Sequence, residues 1–170
     1  MTEAVIFVVF PICLAMAAFT DLFTMTIPNR IPVILIAAFF IIAPFTGLGW
    51  AGVGMHLVAA LVVFAVCFAL FATNVMGGGD AKLLTAAALW FGYNVSLFEF
   101  LVYVAYAGGL LTLVILFLRA RANTLMAAGV TLPHSLIWAK KVPYGIAIAI
   151  GGFLAYPSSS LVTSALARLH

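Results

Sequence analysis

The chain is poor in charged residues. Only 6% of its 170 residues are Asp, Glu, Lys or Arg, whereas 67% are hydrophobic. Soluble domains carry about 25% charged residues, so this scarcity excludes an ordinary soluble protein. The formal net charge of +3 is small and the seven basic residues are scattered, which argues against nucleic-acid binding. We therefore expect an integral membrane protein.

Residues that ligate metals or act as nucleophiles are also scarce. Cys13 and Cys67 lie in apolar runs without CxxC spacing, so we expect small core hydrophobes rather than a disulfide or a zinc site. His56, His134 and His170 form no HExxH motif and have no evident Ser or Cys partner. The sequence therefore predicts no metal and no cofactor, and it gives little support to serine or metal hydrolysis.

Long apolar runs fill most of the chain. Because a spanning helix needs about 20 mostly apolar residues, six stretches are candidates, although the second, fourth and sixth are short. They are Ala4 to Thr20, Ile31 to Phe45, Ala51 to Ala72, Leu83 to Leu97, Phe100 to Leu118 and Pro143 to Ala155. We expect an all-α polytopic membrane bundle of about six transmembrane helices, forming one domain over residues 1–170.

Two features of the last third of the chain leave alternatives open. The sixth stretch meets Pro157 and three serines, which either kink the helix or end it. The connection Arg119 to Val142 contains a mildly apolar stretch that could lie in the membrane interface as a short amphipathic helix.

The basic residues indicate the orientation of the bundle, because Lys and Arg concentrate in short cytoplasmic loops. With the N-terminus outside, six of the seven lie on the cytoplasmic side and Arg168 lies outside. The six are Arg30, Lys82, Arg119, Arg121, Lys140 and Lys141.

The carboxylates are the most informative residues. Glu3 and Glu99 fall at the outer face, whereas Asp21 ends the first stretch and Asp80 opens the fourth, both at the cytoplasmic edge. A charged carboxylate in hydrocarbon costs about 2.5 to 3.5 kcal/mol, so we expect the two to share a task. Two close carboxylates hold one proton between them, which is the arrangement that an aspartic protease requires.

Other interpretations of these residues stay open at this point. Asp80 follows glycines, as a helix N-cap does, and Asp21 suits an ordinary interfacial residue with Pro28 and Asn29 turning the chain. Paired carboxylates also suit a small transporter or proton channel, although such sites tend to lie at the midplane within repeats. A non-catalytic membrane scaffold is a third possibility.

Three motifs carry a resemblance to a known family. Gly77 to Leu83, GGGDAKL, resembles the GxGDxKL signature of type IV prepilin peptidases. Asp21 precedes Ile27 to Asn29 as the aspartate of that family precedes an IPN turn, and Pro143 to Gly145 is similar to the PYG start of its last helix.

The resemblance implies roles for these residues. Asp21 and Asp80 would form the catalytic dyad, with the protonated member left open. Gly77 and Gly79 would allow close approach of the substrate backbone and conformations with positive φ.

The remaining motif residues would support the loops. Pro28 and Asn29 would fix the turn that holds Asp21. Lys82 would tune the dyad, contact substrate or simply obey the positive-inside rule, and we favour the last interpretation.

The resemblance also implies a substrate and a location. Members of this family cleave the short basic leader of prepilins and pseudopilins after a glycine, at the cytoplasmic edge of the substrate's own helix in the bacterial inner membrane. The two CxxC pairs of the N-methylation region are missing, so the chain resembles the small peptidase-only type of Flp (Tad) pili. The expected partners are prepilin substrates and the lipid bilayer.

Overall fold

The computed structural model describes residues 2–121 and 142–167, and these residues form helices and turns without a β-strand. Seven α-helices lie in the described ranges, with 3-10 turns at Ala43–Phe45 and Tyr156–Ser158. They are α1 (Thr2–Thr24), α2 (Arg30–Ile42), α3 (Gly49–Ala72), α4 (Gly78–Phe91), α5 (Val95–Ala120), α6 (Tyr144–Ala155) and α7 (Ser160–Ala167). The predicted all-α membrane bundle is confirmed.

The helices differ in length, and this limits the number of full spans. Within the described ranges, α1, α3 and α5 are long and apolar enough to cross a membrane. The pair of α6 and α7, bent by 40°, makes a fourth span if the two helices cross together. The helices α2 and α4 have 13 and 14 residues, about 20 Å at 1.5 Å per residue, which is shorter than the hydrocarbon core. Each of the six predicted stretches overlaps a helix, but only three of these helices meet the criteria of a full span, or four if the bent pair is one span.

The predicted fourth stretch, Leu83 to Leu97, is wrong at both ends. The helix α4 starts at Gly78 and ends at Phe91, where Gly92 takes a positive φ of 75°. Asn94 then caps α5, because its side chain accepts a hydrogen bond from the Ser96 N–H at 2.8 Å. A glycine stop and an Asn cap divide what hydropathy shows as one continuous run.

The core forms around α4 and α6. The stretch Leu83–Phe91 of α4 is largely buried, and α4 packs against α2, α3 and α6, whereas α6 packs against α1 and α5. Small residues permit this close packing: a Cβ at Gly151 would lie 2.7 Å from the Val104 backbone nitrogen, and one at Gly152 would meet Leu14. Because α4 is enclosed by protein, its short length exposes little backbone to lipid.

An aromatic cluster closes the core at the C-terminal end of α4. Phe10 stacks on Tyr156 with ring centroids 4.2 Å apart and also contacts Trp90. The polar atoms of these rings are satisfied, since Tyr156 donates to the Ile6 carbonyl at 2.7 Å and Trp90 donates to the Leu35 carbonyl at 3.1 Å. The cluster therefore ties α1, α2, α4 and the bend after α6 into one body.

His56 corrects the expectation that the histidines have no serine partner. Its Nε2 lies 3.3 Å from the Ser160 hydroxyl, and its Nδ1 lies 2.7 Å from the Leu89 carbonyl oxygen. A carbonyl only accepts, so Nδ1 carries the proton and caps the C-terminal end of α4. Among the described residues no carboxylate bonds to this ring, and its contacts link α3, α4 and α7.

Candidate active site

Four chain segments meet at the end of the bundle opposite the aromatic cluster. They are the last turn of α1, the turn at residues 25–29, the first turn of α4 and the start of α6. Asp21 from α1 and Asp80 from α4 line one cavity of about 230 Å³, together with Thr26, Ile27 and Asn29. The fold thus brings the two predicted aspartates to a shared space.

Asp21 is held by the backbone of α6. It lies in the last turn of α1, is 5% exposed, and its Oδ2 accepts a hydrogen bond from the Gly145 N–H at 2.7 Å. Gly145 is in the first turn of α6, where backbone N–H groups favour negative charge. A Cβ at Gly145 would lie 2.9 Å from that same oxygen, so the contact requires glycine.

Asp80 folds back over the start of its own helix. Gly77 is the N-cap of α4 with extended backbone (φ −71°, ψ 142°), and Asp80 follows in the first turn. A Cβ at Gly77 would lie 2.7 Å from Asp80 Oδ2. The N-cap interpretation of Asp80 is therefore wrong in detail, since Gly77 holds that position, although a carboxylate in the first turn still stabilises the helix dipole.

The expectation that Gly77 and Gly79 adopt a positive φ is wrong. Neither Gly77 nor Gly79 has a positive φ; the described glycines that do are Gly47, Gly49 and Gly92. Gly79 lies inside α4, and a Cβ there would meet Ile27 at an ordinary 3.4 Å. Close approach therefore matters at Gly77, and its partner in the structure is the Asp80 side chain.

The turn after Asp21 is joined directly to α4. Met25 takes a left-handed φ of 54°, and the Ile31 N–H donates to the Pro28 carbonyl at 3.1 Å. Asn29 begins α2 without a side-chain cap bond, because its Oδ1 accepts instead from Lys82 Nζ at 3.0 Å. Lys82 thus links the α1–α2 turn to the helix that carries Asp80, a contact that the sequence did not reveal.

A larger cavity of about 620 Å³ adjoins the first. It shares Gly77, Gly78, Asp80 and Val142 with the smaller cavity and extends between the end of α3, α5 and the start of α6.

Tyr144 lines this larger cavity together with Asp80. The phenol packs against Gly108 of α5. Sequence reasoning placed Tyr144 in a motif but gave it no role, and the PYG motif was the only signal available.

Several sequence predictions fall outside the described residues. These are the interfacial helix between Arg119 and Val142, which falls on residues 122–141, and the placement of Lys140, Lys141 and Arg168.

Comparison with known proteins agrees with the motifs. The type IV leader peptidase family matches residues 8–117, a stretch that includes both aspartates and more than half of the chain. No curated protein and no solved structure matches the chain. The family match confirms the resemblance drawn from the motifs, and the chain belongs to the type IV leader peptidase family.

Proposed function

We propose that this peptidase is an aspartic endopeptidase that removes the leader of Flp-type prepilins and pseudopilins. The observation that carries the proposal is the shared cavity of Asp21 and Asp80. Family membership favours a peptidase over a carboxylate-relay transporter or channel.

The chemistry requires one proton between the two carboxylates. The ionised aspartate takes a proton from water while the protonated one donates a hydrogen bond to the scissile carbonyl. The water oxygen bonds to the carbonyl carbon, and collapse of the tetrahedral intermediate breaks the C–N bond as a proton passes to the leaving nitrogen. The two carboxyl groups titrate as a coupled pair, so the shared proton belongs to the pair and is not assigned to either aspartate.

The proposed location is the cytoplasmic edge of the bacterial inner membrane, with the N-terminus of the chain outside. Arg30 follows the turn after Asp21, and Lys82 follows Asp80, so both aspartates lie beside basic residues that favour the cytoplasmic side. A cleavage point at this depth meets both aspartates without moving a basic leader through hydrocarbon.

The test is leader removal in cells. A prepilin is co-expressed with this chain in a bacterial host without its own leader peptidase, and precursor and mature pilin are separated by immunoblot. We expect Asp21→Asn and Asp80→Asn each to abolish processing while the protein still inserts in the membrane. Glu99→Gln is the matched carboxylate control at the opposite end of the bundle, and it should process normally.

The outcomes separate the two parts of the proposal. Normal processing by either aspartate variant would refute the dyad. No processing by the unaltered chain would refute the prepilin substrate.

A further inference from the structure

The two cavities that meet at Asp80 have different walls. The smaller one is lined by the polar side chains Asp21, Thr26 and Asn29 together with Met25 and Ile27. The larger one is lined by four apolar side chains, Leu70 and Phe71 at the end of α3 and Val75 and Met76 in the loop after it, and also by Asn74, Thr112 and Tyr144. A peptide that passes Asp80 in an extended form therefore meets the polar side chains around Asp21 on one side of the scissile bond. On the other side it meets the mainly apolar wall formed by the end of α3 and the loop after it.

The apolar surface continues beyond the larger cavity. Phe71 lies on the cavity wall, and Phe68 and Phe64 precede it at helical spacing on α3, with exposed rings. An apolar helix that approaches from the bilayer would meet this surface before it reaches Asp80. The 620 Å³ volume is also in the range of sites that enclose several side chains.

We propose that the larger cavity is an apolar subsite for the first residues of the substrate's membrane helix, on the carboxyl side of the scissile bond. The leader then lies along the polar cavity. This assignment rests on the proposed function, because a prepilin has a basic leader before the cleavage point and an apolar helix after it.

Tyr144 forms the wall of the subsite beside Asp80, and Gly108 holds it in place. The phenol occupies the space that a side chain at Gly108 would need, whereas a Cβ at the next residue, Gly109, would meet nothing within 4 Å. Gly108→Ala therefore displaces the Tyr144 ring toward the cavity, and Gly109→Ala leaves it unmoved. The two adjacent residues of α5 form a matched pair.

The test compares two peptides with the full chain in detergent micelles. Both peptides carry the same basic leader, the same cleavage glycine and the same apolar segment, but the first residue after the cleavage point is Phe in one and Ala in the other. We expect Gly108→Ala to lower kcat/KM for the Phe peptide about 10-fold relative to the Ala peptide, since a pocket distinguishes side chains by their size. Gly109→Ala should leave the ratio of the two values unchanged.

A second variant pair covers the case in which Gly108→Ala does not fold. Val75, at the cavity, is 72% exposed, and Val95, at the other end of the bundle, is 73% exposed. Tryptophan is therefore tolerated at either position. Val75→Trp should lower kcat/KM for the Phe peptide more than for the Ala peptide. Val95→Trp should leave the ratio of the two values unchanged.

The results distinguish the subsite from the activity. The apolar subsite is refuted if Val75→Trp, and Gly108→Ala where it folds, change kcat/KM equally for both peptides or for neither of them. Leader cleavage stands in that case. If the unaltered chain cleaves neither peptide, the proposed function fails and the subsite fails with it.

Discussion

Replacement of Gly145 by alanine would place a methyl group against Asp21. The new Cβ would lie 2.9 Å from Asp21 Oδ2, 3.0 Å from Asp21 Cβ and 3.1 Å from Ile27 Cδ1. Ordinary contact begins at 3.4 Å, so the carboxylate oxygen must retreat by the difference of 0.5 Å. The same shift would lengthen the 2.7 Å hydrogen bond from the Gly145 N–H beyond the usual range for a charge-assisted bond.

The expected cost follows from that bond. A hydrogen bond to a charged group contributes about 1.5 to 3 kcal/mol, and a misplacement of about 1 Å can cost about 100-fold in rate. We expect Gly145→Ala to lower kcat about 10- to 100-fold and to change KM by less than about 3-fold. The three atoms nearest to the new Cβ belong to Asp21 and Ile27, which do not line the larger cavity.

The assay is steady-state cleavage of a prepilin peptide by the purified chain, with Gly109→Ala as the control, because a Cβ there meets nothing within 4 Å. Thermal unfolding of both variants is recorded alongside to compare their stability. An unchanged kcat in a folded Gly145→Ala protein would refute the claim that the α6 backbone positions Asp21.

Three further predictions concern other contacts of the bundle. Gly77→Ala would displace Asp80, since the new Cβ would lie 2.7 Å from its Oδ2. We expect at least about a 10-fold loss of kcat. Gly54→Ala is the control, because a Cβ there meets nothing within 4 Å. Lys82→Ala and Asn29→Ala each remove the same exposed hydrogen bond, so each should lower the unfolding free energy by less than about 1 kcal/mol. A double variant with the same unfolding free energy as either single one would verify that the two residues act through each other. His56→Ala leaves the buried Leu89 carbonyl without its donor and should lower the unfolding free energy by about 1 to 3 kcal/mol with unchanged kcat/KM; a loss of activity in folded protein would contradict its structural role.

The sequence indicated those parts of the candidate site that carry a strong physical signal. Asp21 and Asp80 are the only aspartates in a chain with 6% charged residues, and a carboxylate among apolar helices is costly enough to require a reason. The existence of the helices was also predictable, because long apolar runs indicate helices that cross a membrane.

The parts that sequence reasoning missed depend on backbone groups or on distant partners. The N–H of Gly145 reaches Asp21 across 124 residues, and Lys82 reaches Asn29 across 53. Every residue except proline has a backbone N–H, so the identity of a residue does not reveal that its N–H binds a distant side chain. The contact between Gly145 and Asp21 therefore had no signal beyond the PYG motif. The break at Gly92 was missed because a single glycine barely changes the hydropathy of the run around it.

The glycine run shows how local context changes an interpretation. Three consecutive glycines favour a loop, yet Gly78 and Gly79 lie inside α4 and only Gly77 precedes it. The helix starts early because its first turn includes a carboxylate that suits the helix dipole, and because α4 is enclosed by α2, α3 and α6.

The central claim is that Asp21 and Asp80 act as one unit, and the most direct measurement is kcat/KM for Asp21→Asn, Asp80→Asn and the double variant on one prepilin peptide. Groups that act together are non-additive, so each single variant should lose as much activity as the double variant. Partial losses that multiply in the double variant, or full activity in either single one, would contradict the account.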